Sequence, residues 1–309
     1  MPDGMQTKPR RGKLLAVAPE MVEPKKPKVL IYGPPGVGKT WAALDFPGVY
    51  YFDHERGADL NHYRTKLQSA GGVYFGPDQG SLDMETVIGQ VQALATEPHE
   101  HKTMVFDSIT KLFNTAISEE SDRIIGKGFK DEFGASKKPV VRQMARLVRW
   151  VNAADMNAVF ICHQKELWGK DDKGQREAIG WTFDGWEKLE YELHLILRIS
   201  KIGNGESSKR WAHIGKSRLT GFPEGQRFDW SYADFAERYG RDVIERETKQ
   251  MILATEEQVA EVNRLLETVK VSDDFAEKCF KKAGVEDWPE MESDTIAKVV
   301  EALKAKLAA

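Results

Sequence analysis

Cysteine is nearly missing: the 309 residues include two, Cys162 and Cys279. They stand far apart and without ligand spacing. That excludes a disulfide framework and a zinc knuckle, and a reducing cytoplasm is expected. No uninterrupted apolar run approaches the ~18 residues of a membrane span. The N-terminal lysines and arginines are not followed by an apolar segment, so no secretory leader is read there. No internal repeat is found. A dominant charge is missing too, since 45 Lys and Arg face 48 Asp and Glu for a formal net charge of -3. A polycation is thereby excluded, and any contact with a polyanion must come from local patches. What remains is a globular composition, 41% hydrophobic and 30% charged, long enough for about two domains.

Charge is unevenly spread. Residues 1–28 carry seven basic side chains against three acidic ones and are rich in proline. Residues 1–27 are expected to be a basic, flexible arm with one apolar knot at Leu14-Leu15-Ala16-Val17. Residues 251–309 reverse the sign, with thirteen acidic against eight basic. Strand-like and helix-like stretches alternate over 28–247. An α/β core with a mainly parallel central sheet flanked by helices is expected there. Residues 252–309 read as a small acidic helical domain. Thr255-Glu256-Glu257-Gln258 is a capping box, a second helix around 275–282 ends at Gly284, and Ser293 caps a third.

The apolar run Val29-Leu30-Ile31-Tyr32 leads into Gly33-Pro34-Pro35-Gly36-Val37-Gly38-Lys39-Thr40, then helix-compatible residues. This is G-x-x-x-x-G-K-[ST] in its strand–loop–helix context. Glycines let backbone N–H groups converge on phosphate oxygens. Lys39 is expected to reach the β- and γ-phosphates of ATP, and the Thr40 hydroxyl to ligate Mg²⁺. Thr103-Met104-Val105-Phe106-Asp107 is a buried-type strand ending in the acid that would share that ion, the Walker B pattern. Ser108 follows where AAA+ ATPases usually place a glutamate, so the base must come from elsewhere. Glu55, at the end of the strand-like Val49-Tyr50-Tyr51-Phe52, is the candidate to activate water. Asp53 and Glu55 also admit a plainer reading as solvated loop charges, and His54 reads as a loop or packing residue.

These residues resemble the RecA-like ATPase core over roughly 28–235. The resemblance is carried by Glu55 after the second strand, Asp107-Ser108, the strand Ala158–Cys162 ending in His163-Gln164, and Lys216-Ser217-Arg218. The chain looks most similar to phage-encoded single-strand annealing proteins of RecA-like type, although the Walker A is equally at home in AAA+ proteins. The resemblance implies that Gln164 senses the γ-phosphate. It implies that Lys216 and Arg218 act in trans on a neighbour's nucleotide, and that a homo-oligomer, ring or filament, assembles on single-stranded DNA. Annealing or strand exchange in phage recombination, in a bacterial cytoplasm, is the implied function. A DNA motor and an ATP-regulated binding oligomer are the alternatives. A single-strand DNA-binding protein is a further expected partner for the C-terminal helices.

Two polar insertions are expected to be DNA loops. Ser121–Lys138 carries Arg123, Lys127, Lys130, Lys137 and Lys138 with Phe129 and Phe133 between them. Mobile cations and interleaved rings suit a single strand, which offers phosphates and bases in turn. The second insertion, Lys165 to about Lys188, holds Trp168, Trp181 and Trp186, but its acids outnumber its bases by one. Either could instead be a solvated connection or a surface packed on a neighbour.

Overall fold

The computed structural model describes residues 18–132, 134–170, 173–203 and 208–307. The apolar knot at 14–17 and Phe133 lie outside them. In chain order the elements are β1 (Lys28–Tyr32), α1 (Lys39–Ala43), β2 (Val49–Asp53), α2 (Asn61–Ser69), β3 (Val73–Phe75), α3 (Met84–Thr96) and β4 (Thr103–Asp107). Next come α4 (Ile109–Gly126), α5 (Lys137–Ala153), β5 (Asn157–Lys170), β6 (Arg176–Asp184), α6 (Leu189–Glu192), β7 (Leu195–Ile202), β8 (Lys209–Ser217) and β9 (Arg227–Asp229). The chain continues with α7 (Tyr232–Tyr239), α8 (Arg241–Glu245), α9 (Glu256–Thr268), α10 (Phe275–Ala283) and α11 (Ser293–Leu307).

Among the described residues the sheet has nine strands in the order β3-β2-β4-β5-β1-β7-β8-β9, with β6 off this path and paired to β5. All pairings from β3 to β7 are parallel, and those of β8, β9 and β6 are antiparallel. The expected architecture, a mainly parallel sheet flanked by helices, is what forms. Helices cover both faces, so β1 and β4 are buried at every position. Alternation still decides which face each residue serves. Leu30 and Tyr32 join the cluster under α3, α4 and α5, while Val29 and Ile31 join the one under α1 and α7. Register lines up Phe52, Phe106 and Phe160 across β2, β4 and β5. Their rings stack at 4.6 and 4.9 Å between centroids, which ties the three strands that carry the site.

The first expected loop is helical at both ends. α4 runs to Gly126 and α5 begins at Lys137, leaving a connection of 127–136. The second is a β-hairpin, because β5 continues past the sheet and turns back as β6 with a register shift at Leu167/Trp168. The end of the arm also differs from expectation. Lys26 and Lys28 are buried, Lys26 Nζ donating to the Arg246 carbonyl and Lys28 Nζ to those of Ala154 and Met156. These carbonyls lie just past the ends of α5 and α8, where helical partners run out, so buried ammonium groups satisfy them, and the core begins before residue 28.

α9, α10 and α11 pack around Val262, Leu265, Trp288, Ile296 and Leu303. The capping box at Thr255 and Gln258 is formed, and Gly284 closes α10 in the left-handed region. Leu307, at the end of the last helix, is exposed. Arg146 of α5 joins this bundle to the core through ion pairs to Glu286 and Glu290, while also pairing with Glu85 of α3. Among the described residues no helix is long and apolar enough to cross a membrane.

Candidate nucleotide site

The site lies at the carboxyl ends of β1, β2, β4 and β5, where parallel sheets leave a crevice. β1 delivers the chain into the Gly33–Gly38 turn. Gly36 and Gly38 sit at φ 75° and 85°, which L side chains resist. A Cβ on Gly33 would lie 2.3 Å from the Ile199 carbonyl oxygen, so only glycine lets the loop pass β7. Lys39 Nζ donates to the carbonyls of Gly33 and Pro34 at 2.8 and 3.0 Å, and burial pulls its pKa down. The ammonium is thus held inside the loop it serves.

Thr40 Oγ1 donates to Asp107 Oδ2 at 2.6 Å, and the Tyr51 hydroxyl donates to the same oxygen at 3.0 Å. Burial raises the Asp107 pKa to about 6, against the lowering effect of those two hydrogen bonds. A hydroxyl and a carboxylate side by side are hard oxygen donors, the set Mg²⁺ takes alongside phosphate oxygens.

Glu55 arrives beside Asp107 because its own amide and that of His54 both donate to the Asp107 carbonyl, at 3.1 and 2.7 Å. Its Oε1 accepts from Ser108 Oγ at 2.6 Å, and His163 Nε2 lies 3.1 Å from the same oxygen. Asp53 and Glu55 are not equivalent loop charges. Asp53 is buried and accepts from the amides of Gly57 and Ala58 at 2.7 and 2.8 Å, which shapes the turn holding Glu55. His54 is buried, and burial pushes its pKa down to about 4, so it packs as a neutral ring.

A cavity of about 770 Å³ joins these groups. Lys39, Thr40, Glu55, Asp107 and Gln164 all line it, together with His163. Gln164 Oε1 accepts from Arg198 Nε at 3.3 Å. The structure does not bring Lys216 and Arg218 to this cavity. β8 is antiparallel, so Ser217 pairs with Leu195, which is level with Val29 at the start of β1, at the opposite end of the sheet. The tips of Lys216 and Arg218 donate to the carbonyls of Leu193 and Tyr191. The cation that does meet the phosphate loop in the same chain is Arg210, whose Nε donates to the Val37 carbonyl at 3.0 Å. Sequence reasoning missed Arg210, Arg198 and the part His163 plays. Each contact depends on which strands are neighbours, and only the adjacency of His163 to Gln164 could have drawn notice.

A profile of the AAA domain matches residues 25–219. The chain belongs to that family. Its core is accordingly that of an AAA-type P-loop ATPase, a fold that binds nucleotide. No curated protein matches the chain. Among solved structures, a KaiC-like protein from the hyperthermophilic archaeon Pyrococcus horikoshii is 16% identical, with a TM-score of 0.40 over 67% of this chain and 86% of that one. A likeness that slight carries no weight in assigning the function of this AAA core.

Proposed function

We propose that the protein hydrolyses ATP with Mg²⁺ and uses the cycle to act on single-stranded DNA, in annealing or strand exchange of the kind phage recombination needs. Lys39 and the loop amides hold the phosphates, and Thr40 and Asp107 hold the metal. Bound there, Mg²⁺ neutralises charge building on the phosphate oxygens. Glu55 orients the attacking water and takes its proton. Ser108 and His163 crowd one carboxylate oxygen, which fixes the group and leaves Oε2 as the basic edge. Gln164, next along β5, faces the same cavity.

One observation carries the DNA reading. β5 runs without a break from His163 and Gln164 in the ATP site into the exposed hairpin with β6. There Trp168 and Trp181 are about half exposed and Arg176 lies over the Trp168 ring at 4.7 Å. Bases can stack on such rings, at about 1–3 kcal/mol each, and any shift of the hairpin reaches the water-activating group through one strand. A homo-oligomer along the strand belongs to this reading.

The test pairs two variants with strand binding. Lys39→Ala is expected to abolish turnover. Glu55→Gln is expected to keep ATP binding and lose about 10²–10⁴ of the rate. Trp168→Ala is expected to weaken binding of a labelled single strand roughly tenfold or more, as read by fluorescence anisotropy. Normal turnover in Glu55→Gln would place the base elsewhere, and directional unwinding of duplex would identify a motor instead.

A further inference from the structure

Lys216 and Arg218 make no contact at the ATP site of their own chain, and Arg218 lines a second cavity. It measures about 400 Å³ and lies at the opposite end of the sheet, where His194 N donates to the Lys28 carbonyl and Arg218 N to the His194 carbonyl. Lys25, Arg218, Arg238, His194, Thr220 and Tyr239 contribute its polar lining, and among the described residues no carboxylate lines it. Lys25 and Arg238 are exposed, and among the described residues no acceptor or acid pairs with either side chain. Arg238 only rests over the Phe228 ring, and Arg218 spends one N–H on Tyr191. The neighbouring acids are otherwise engaged. Glu23 pairs with Arg246 and Lys249, Glu224 accepts from the Ser217 amide, and Glu190 and Glu224 act on Lys216. The positive field registers on His194, which burial and then Lys28, Lys25, Arg218 and Lys216 push down to about 4.

A concave site with three cations, two hydroxyls and, among the described residues, no acid is chemistry for phosphate. We propose that this cavity is a second nucleic-acid contact, gripping strand phosphates at the end of the sheet away from the nucleotide. A strand fits better than a lone phosphate because Lys25 ends a stretch, residues 1–25, in whose sequence five basic residues face three acidic ones, beside Arg218 and Arg238 of the cavity. One phosphate cannot use that many charges, and a row of them can. The inference rests on the DNA reading above and adds to it: the hairpin stacks bases at one end, and this cavity holds backbone at the other.

The experiment uses the full chain and a labelled oligo-dT strand in anisotropy across a salt series. The variants are Lys25→Gln/Arg238→Gln, the same pair with Arg218→Gln, and Trp168→Ala. Each lost phosphate contact should make the slope of log K against log salt shallower by about 0.7, so by roughly 2 for the triple variant. Trp168→Ala should lower affinity with the slope kept. Lys25→Gln/Arg238→Gln should leave ATP turnover without DNA unchanged, which certifies folding, and Arg218→Lys should restore the slope lost with Arg218→Gln. A parent that binds no strand sinks the DNA reading and this site with it. A parent that binds while the triple variant keeps its slope overturns this site alone. In that event, inorganic phosphate binding by calorimetry would mark a free-anion pocket. A smaller oligomer would mark an acidic face of a second copy, and turnover lost with Arg218→Gln and regained on mixing with Glu55→Gln would mark Arg218 acting on a neighbour's nucleotide.

Discussion

Two carboxylates two residues apart show how much a single position decides. Asp53 is sealed and spends both oxygens on backbone amides, while Glu55 is a third exposed and faces the cavity. Asp53→Ala would strand two amide donors, at about 1–3 kcal/mol each if they stay dry. Urea denaturation should therefore show a clear loss of stability, whereas Glu55→Gln should leave the urea midpoint nearly where it was. His54 between them supplies a pH effect. Its pKa is held near 4 in the fold against 6.5 outside it. Between those values the unfolded chain binds more protons, so stability must fall as pH drops from about 6.5 to 4. Comparing urea midpoints at pH 7 and pH 5 for the parent and His54→Phe checks this, with the smaller drop expected in the variant.

At the scale of elements, legibility followed range. The Gly33–Thr40 loop, the β4 strand ending in Asp107 and the Thr255 capping box are each written in a few consecutive residues, and each formed as read. α4 did not look like a helix past residue 120 because Glu119, Glu120, Ser121, Asp122 and Arg123 are polar and largely unburied, leaving no apolar stripe to count. The β5–β6 hairpin hid for a related reason. Both of its faces are mainly exposed and its register slips, so period-two alternation never develops. The partners of Glu55 and Gln164 come from strands that become neighbours only in the folded order. The phosphate loop offers a matched pair of variants. Gly36→Ala and Gly38→Ala both force a side chain into positive φ, about 1–3 kcal/mol of strain each. Only at Gly38 would the new Cβ also meet Arg210, 2.6 Å from its Nε. Thermal melts should rank Gly38→Ala below Gly36→Ala, and ATP affinity should fall further at Gly38. Equal effects would leave the Arg210 contact without consequence.

At the scale of the whole molecule, the C-terminal helices are held to the core by a small number of charges. Arg146 is mostly buried and meets Glu290, itself 13% exposed, at 2.8 Å. Arg149 stands 4.0 Å from the same carboxylate and replaces it poorly. Arg146→Met should cost about 1–2 kcal/mol after solvent screening. It should also speed proteolytic cleavage between α8 and α9 while ATP turnover without DNA stays at the parent level. The position of β1 has a different kind of consequence. It is the central strand between β5 and β7, yet the first in the chain, and Lys28 meets His194 across 166 residues. A ribosome adding about 5–20 residues per second needs some 8–30 s between making the phosphate loop and making its far neighbour. Through that interval the loop has its sequence but not its walls, and a nascent chain arrested before β7 should bind no ATP. The phosphate loop is thus synthesised well before the strand that makes it competent.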